Sequence, residues 1–405
     1  MMAILRKQFL EHVAQTSPSP MMVEVERAEG VYFYTPKPEA KRYIDLVAGV
    51  SVSNVGHANP AVVKAVQEQA ANYMHVMVYG ELVETPQVKL ATKLAQHLPG
   101  DISSVYFVSS GAEAIEGAMK LTRRATGRKE IISMRRAYHG STQGAMSLMG
   151  SPDGDIWTDA FKPLLPNVRS INYNSFEDLA QITEQTAAVF AEVVQGEVGV
   201  RLPAEGYLQA LRERCSEVGA LLVFDEIQTG MGRTGELFAA KKYGVTPDVI
   251  CLAKALGGGM PLGAFAASQQ IMATLQSDPV LGHITTFGGH PVCCAAALAA
   301  FDFIIENNLT EQVEAKGALF EERMLSHAMV KEVRRSGLLM AVELGEPRFI
   351  YRLMEIFKEE GVMSDWFLFC DTSFRISPPL TITLEEVADA CAIIEKSLDR
   401  LKSEF

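Results

Sequence analysis

The sequence predicts an α/β protein with a mostly parallel central sheet in a large domain and a smaller α+β domain beside it. Two observations carry this. From about residue 90 to 300, short apolar runs alternate with amphipathic segments, the pattern of strands joined by helices. From about residue 301 onward, helical stretches mix with shorter strands. In chain order, Val105–Val108, Ile131–Met134, Val189–Val194, Leu221–Phe224 and Val249–Leu252 read as strands buried on both faces. Among the intervening helices, Tyr207–Val218 repeats Leu208, Leu211, Cys215 and Val218 at helical spacing. Later strands are expected around Leu338–Leu344 and Phe374–Ile376, and a helix over Glu386–Leu401. The expected division is 1–60 joining the small domain, 61–300 as the large domain, and 301–405 as the C-terminal small domain. A parallel sheet binds its ligands beyond the carboxyl ends of its strands.

The bulk numbers narrow the partners. A chain of 405 residues, 48% hydrophobic, is too long for one ordinary core. Its net charge of -12 argues against nucleic acid or anionic membrane as a general partner. No apolar run approaches the roughly 20 residues needed to span a bilayer. The segment Met1 to Thr16 carries Arg6, Lys7, Glu11 and His12 and lacks the apolar stretch of a signal peptide. Six cysteines in this length are not a disulfide framework, so a soluble cytoplasmic protein is expected.

The residues just beyond each apolar run carry the chemistry. Ser109-Ser-Gly-Ala-Glu-Ala114 comes after the first and opens a helix. Gly111 lets backbone approach a ligand, and the free N–H groups of a helix start suit a phosphate. Taken alone, the stretch also fits an ordinary helix cap. Asp225, Glu226, Ile227 and Gln228 come after Leu221–Phe224. A carboxylate just past a buried strand is costly unless a cation meets it, and a protonated pyridine nitrogen is one such cation. Solvated acids on loops look the same in isolation. Lys254 comes after Val249–Leu252 and leads into three glycines, Gly257 to Gly259. Desolvation there would lower its pKa and free a neutral amine for a Schiff base. Tyr138 lies a few residues past the second run and can stack on a flat ring, with Ile227 as an apolar wall opposite. Glu192 and Glu197 sit in and just after a strand, where unpaired acids are unexpected.

Together these segments resemble the class III (ω-) aminotransferases, pyridoxal-phosphate enzymes of fold type I related to acetylornithine, ornithine and 4-aminobutyrate aminotransferases. The matching stretches are Ser110-Gly-Ala-Glu-Ala114, Tyr138-His-Gly140, Val194-Gln-Gly-Glu197, Asp225 to Gly235, Ala253 to Gly263, Thr285-Thr-Phe-Gly-Gly289 and Arg375-Ile-Ser-Pro-Pro-Leu380. The resemblance implies that Lys254 holds pyridoxal 5'-phosphate as a Schiff base and later shuttles a proton. It implies that Asp225 pairs with the pyridine nitrogen and Gln228 contacts the phenolic oxygen. Gly111 and Ala112 would hold the phosphate, joined by Thr286 from the other subunit of a homodimer, and Tyr138 would stack on the ring. Arg375 would bind the carboxylate of a 2-oxo acid, with 2-oxoglutarate expected and pyruvate an alternative. Glu197 would pair with Arg375 when an ω-amine donor occupies the site.

Two departures leave the donor open. Ser141 stands directly after His139-Gly140, where many relatives carry an Arg that grips the donor's distal carboxylate, and a hydroxyl cannot replace that ion pair. Arg135 or Arg136 could substitute. The N-terminal aromatic of ornithine-specific relatives is replaced by Ser17-Pro-Ser-Pro20. Gly230-Met-Gly-Arg-Thr-Gly235 formally matches a dinucleotide fingerprint but starts five residues past Asp225 rather than at the strand end. His283, His290, Cys293 and Cys294 invite a metal reading, yet the cysteines lead into an alanine-rich helix and no metal is expected. An aminomutase or another pyridoxal-phosphate enzyme of the same fold is the alternative, and Arg375 with Glu197 favours transamination over it.

Overall fold

The computed structural model describes residues 2–38, 40–149 and 156–405. Three sheets form. Strands β1 (Arg27–Glu29), β2 (Tyr32–Tyr34) and β3 (Arg42–Asp45) make an N-terminal meander. Strands β4 (Ser104–Val108), β5 (Glu130–Met134), β6 (Val168–Ile171), β7 (Thr186–Glu192), β8 (Leu221–Asp225), β9 (Val249–Leu252) and β10 (Gly263–Ala267) form the central sheet in the order β4-β10-β9-β8-β7-β5-β6. The C-terminal part adds β11 (Glu332–Ser336), β12 (Leu339–Glu343), β13 (Val362–Met363), β14 (Trp366–Phe367) and β15 (Cys370–Ile376). Of these, β13 pairs in parallel with β3, and the other four form their own antiparallel sheet.

In the central sheet only β10 runs antiparallel to its neighbours β4 and β9. The other neighbours pair in parallel. Strand β7 is buried at every residue, which is why it reads as a continuous apolar run rather than an alternating one. It spans Thr186–Glu192 rather than the expected Val189–Val194. Beyond Glu192 the chain leaves the sheet, and Gln195 pairs instead with Arg201 across a tight turn.

Strands β6 and β10 are not among the expected strands, and each omission has a physical reason. Strand β6 is four residues with Arg169 and Ser170 at its centre, so its apolar signal is slight. Strand β10 reads Gly-Ala-Phe-Ala-Ala, small residues of weak strand preference. Those small residues suit the helix Gly111–Thr126, which packs directly on β10. A Cβ at Gly117 would lie 2.2 Å from Phe265 Cε1.

Helix Tyr207–Val218 is present as expected, and the terminal helix runs Leu384–Glu404, longer at both ends than expected. One apolar cluster runs from Val31 and Leu46 through Leu90, Ile250 and Phe301 to Leu353, Phe374 and Leu401, joining all three sheets. Among the described residues, no single helix is long and apolar enough to cross a membrane.

Arg233, inside the glycine-rich stretch, is completely buried as a strut. Its guanidinium donates to the carbonyls of Leu338 (3.1 Å) and Pro378 (2.5 Å) and to Asn54 Oδ1. That stretch is packed into the interior and does not open a helix; the next one begins at Ala239. Its use is structural, not that of a dinucleotide loop.

Candidate active site

A cavity of about 520 Å³ opens where β4, β5, β7, β8 and β9 end. Its floor is the turn after β4. Ser110 caps the helix Gly111–Thr126 by accepting from Glu113 N, and the Glu113 carboxylate accepts from Ser109 N at 2.7 Å. The Gly111 and Ala112 amides open the first turn, where a helix has no acceptor of its own for them. They face the cavity at the positive end of a 16-residue helix, a ready anion site. Position 111 is close to the wall: a Cβ there would lie 2.9 Å from Ile227 Cδ1.

Asp225, the last residue of β8, is held rigidly. Its Oδ1 accepts from Ile227 N at 2.9 Å, and its Oδ2 lies 2.7 Å from His139 Nδ1. Burial disfavours the His139 cation, but the Asp225 hydrogen bond and charge outweigh it and raise the imidazole pKa. Glu192, at the end of β7, accepts from Tyr138 N (3.0 Å) and Gly196 N (2.9 Å). Burial pushes its carboxyl up to about 7 despite nearby His139. Glu192 thus ties the Tyr138 loop to the Gly196–Glu197 loop. The sequence flagged Glu192 as an unexpected acid and placed His139 in a motif, but no signal in the chain marked the His139–Asp225 contact.

Lys254 begins a short 3₁₀ turn with φ of 49°, a left-handed conformation uncommon for a non-glycine residue. Burial pushes its pKa down and the Arg375 charge adds to this, while the carboxylates of Glu197 and Asp225 pull the other way; the net result is a depressed value. The glycines behind it let a helix approach. A Cβ at Gly258 would lie 2.8 Å from Ala300 Cβ on helix Pro291–Glu306.

The cavity brings together Gly111, Ala112, Tyr138, Glu197, Asp225, Ile227, Gln228 and Lys254. Arg375 stands behind Glu197 and does not itself line the space; its Nη2 lies 3.1 and 3.2 Å from the two Glu197 oxygens. Burial alone would raise the Glu197 carboxyl, but Arg375 and Lys254 hold it below the usual range. Thr286 lies away from this cavity, on an exposed stretch beside Ile284 and Phe287. Val52, from the N-terminal segment, also lines the wall and was missed, since nothing in its local sequence suggests a site. Ser141 lines the wall and its Oγ lies 3.1 Å from the Tyr138 hydroxyl, whereas Arg135 and Arg136 do not reach the cavity. Cys293 and Cys294 are buried in helix Pro291–Glu306, and burial raises both thiols. His283 turns its Nδ1 to Lys120 Nζ at 3.3 Å.

Helix-start amides, an amine of depressed pKa and a carboxylate at a strand end suit a flat, phosphorylated, nitrogen-bearing ring. Gln228 Nε2, buried and without a partner among the described residues, awaits an acceptor oxygen of the kind such a ring carries. These features define a pyridoxal-phosphate enzyme of fold type I.

The family model for class-III aminotransferases matches residues 13–398, so the chain belongs to the class III aminotransferases. It is 44% identical over 313 residues to an acetylornithine aminotransferase of Methanopyrus kandleri, covering 76% of this chain and 78% of that one. A transaminase from the marine bacterium Virgibacillus superposes with a TM-score of 0.92 at 28% identity, over 99% of both chains. The ornithine aminotransferase of Toxoplasma gondii, in a structure described with PLP at its active site, superposes with a TM-score of 0.89 at 30% identity. It covers 100% of this chain and 95% of that one. The protein is a pyridoxal-phosphate-dependent ω-aminotransferase that moves an amino group from an amine donor to a 2-oxo acid.

Proposed function

We propose that Lys254 is the catalytic amine and that the donor is an ω-amine or ω-amino acid of the ornithine or acetylornithine type, with 2-oxoglutarate as acceptor. The observation that carries this is the buried Lys254 ammonium position, faced by Glu197 and Asp225 in a cavity floored by helix-start amides. Pyridoxal phosphate, when bound, supplies an electron sink for the carbon that loses its proton. Gly111 and Ala112 would hold its phosphate, Asp225 would keep its ring nitrogen protonated, and Gln228 would donate to its phenolic oxygen. His139 orients the Asp225 carboxylate. Tyr138 and Ile227, which both line the cavity, would wall the two faces of the ring. Lys254 Nζ, whose pKa burial lowers, would take the proton from the donor carbon and return it one position along. Arg375, paired with Glu197 while an amine occupies the pocket, takes the oxo-acid carboxylate in the second half-reaction.

The active form we propose is a homodimer in which the partner's copy of Thr286 completes the phosphate site. Exposed Ile284 and Phe287 beside it support this reading. A solution mass of a single 44.3 kDa chain would overturn it. Six free cysteines support a cytoplasmic setting.

The test is to mix holoenzyme with ornithine, acetylornithine, lysine, 4-aminobutyrate, putrescine and alanine separately, without oxo acid, and to follow the cofactor's visible absorbance. Bleaching by one or more ω-amine donors, reversed by 2-oxoglutarate, is the expected result. Bleaching by alanine alone would remove the ω-amine assignment.

A further inference from the structure

Arg375 is gripped by a second carboxylate. Its Nε donates to Asp365 Oδ1 at 2.8 Å, while Glu197 occupies Nη2 from a loop beyond the central sheet. The Phe367 ring lies against the guanidinium, 4.4 Å from Cζ to centroid. Asp365 and Arg375 belong to one hairpin, β14 with β15, and the Arg375 amide donates to the Asp365 carbonyl at 2.9 Å. Nη1 is buried and has no partner among the described residues.

These contacts divide the guanidinium into two edges. The edge at Nε is taken by a residue of its own hairpin. The edge made by Nη1 and Nη2 is half free, and its one occupant, Glu197, lines the cavity. An incoming carboxylate therefore meets the Nη1–Nη2 edge and displaces Glu197, while nothing requires Asp365 to move. We propose that Asp365 is a positioning residue that holds the Arg375 fork in place while Glu197 and the oxo-acid carboxylate exchange on its opposite edge. The inference rests on the reading of Arg375 as the oxo-acid site.

Without Asp365, departure of Glu197 would leave the guanidinium steadied only by the Phe367 face. A long side chain then recovers rotamer freedom that must be lost again for every carboxylate bound. The exchange swaps one carboxylate for another at Nη2, so the Asp365 contact at Nε is the ion pair that persists through it. Asp365 accordingly acts on the orientation of the fork and leaves the balance between Glu197 and substrate unchanged.

The experiment compares Asp365→Ala and Asp365→Asn holoenzymes. It measures KM for 2-oxoglutarate, KM for a monoamine donor, and turnover with propanal, an acceptor lacking a carboxylate. Asp365→Ala should raise KM for 2-oxoglutarate about tenfold, with far smaller changes for the monoamine and for propanal. Asp365→Asn should restore most of the loss, because its amide oxygen still accepts the Nε–H. Loss spread equally over all three substrates would mean that Asp365 serves only the fold, and would overturn the proposal. An unchanged KM in Asp365→Ala, with a raised KM in Arg375→Ala, would overturn it and leave the role of Arg375 intact. An unchanged KM in Arg375→Ala would remove both.

Discussion

Substituting Gly196 by alanine tests the proposed cofactor contact of Gln228 separately from the stability of the fold. Gly196 does not have positive φ, so alanine carries no backbone penalty there. The added Cβ would lie 1.9 Å from Gln228 Oε1 and 3.0 Å from its Cδ. Side-chain oxygens do not approach a Cβ closer than about 3 Å, so the amide must retreat by about 1 Å. It can do so, since Gln228 is a flexible side chain and its Nε2 has no protein partner to lose. The expected cost in stability is therefore under about 0.5 kcal/mol, that of a substitution away from packed contacts. A hydrogen bond stretched by about 1 Å is effectively lost, which removes about 0.5–1.5 kcal/mol from cofactor binding. That corresponds to a rise of about two- to thirteen-fold in Kd. The assay titrates pyridoxal phosphate into the Gly196→Ala apoenzyme by visible absorbance, alongside a thermal melt of the same apoenzyme. Unchanged cofactor affinity would refute the assignment of Gln228 to the ring. A large loss of Tm in the apoenzyme would show instead that position 196 is tight for packing reasons.

Two further outcomes are expected. Lys254→Ala should abolish turnover and the visible band of the bound cofactor, and normal steady-state turnover in that variant would sink the mechanism. Glu226 is buried and accepts from Ala239 N (2.6 Å), Ala240 N (2.7 Å) and Thr229 Oγ1 (3.2 Å), yet burial lifts its carboxyl from 4.5 to about 7. A folded-state value above the unfolded one means that the native state binds the extra proton between those two values. Stability contributed by Glu226 should thus be fully present below about pH 4.5 and be lost as pH rises through about 7. Apoenzyme melts between pH 5 and 8 test this, and a Glu226→Gln variant should flatten that part of the slope. Glu192, also lifted to about 7, adds a slope of the same sign. An identical pH profile in Glu226→Gln would exclude Glu226 as its source.

Much of the central sheet was legible because fully buried parallel strands write themselves as unbroken apolar runs. Strand β9 matched its expected bounds, and β8 extended one residue further, to Asp225 itself. Of the two central strands that were missed, β10 owes its place to a helix lying on its glycine and alanines, a tertiary cause that no local pattern carries. The residues expected at the site that line the cavity were legible for a related reason: they lie at, or a few residues past, the end of a strand. Asp365 was not, because it adjoins a two-residue strand and meets Arg375 only through the hairpin register. Val52 reached the cavity wall from a segment with left-handed φ values at Ala48, Val50 and Ser51, a path that local sequence does not forecast.

The pairing of β3 with β13 also bears on how the chain is made. Arg42–Asp45 leave the ribosome early, but their parallel partner Val362–Met363 emerges some three hundred residues later. The Arg233 strut has the same dependence, since the Pro378 carbonyl it needs follows it by 145 residues. The β1–β3 meander therefore waits with one edge open until β13 is made, and contacts so far apart in sequence close slowly. Its strands are only three or four residues long, which gives a passing chain little to add to. A nascent chain stalled before residue 362 would hold a largely complete central sheet and an unclosed edge at the opposite end of its own sequence.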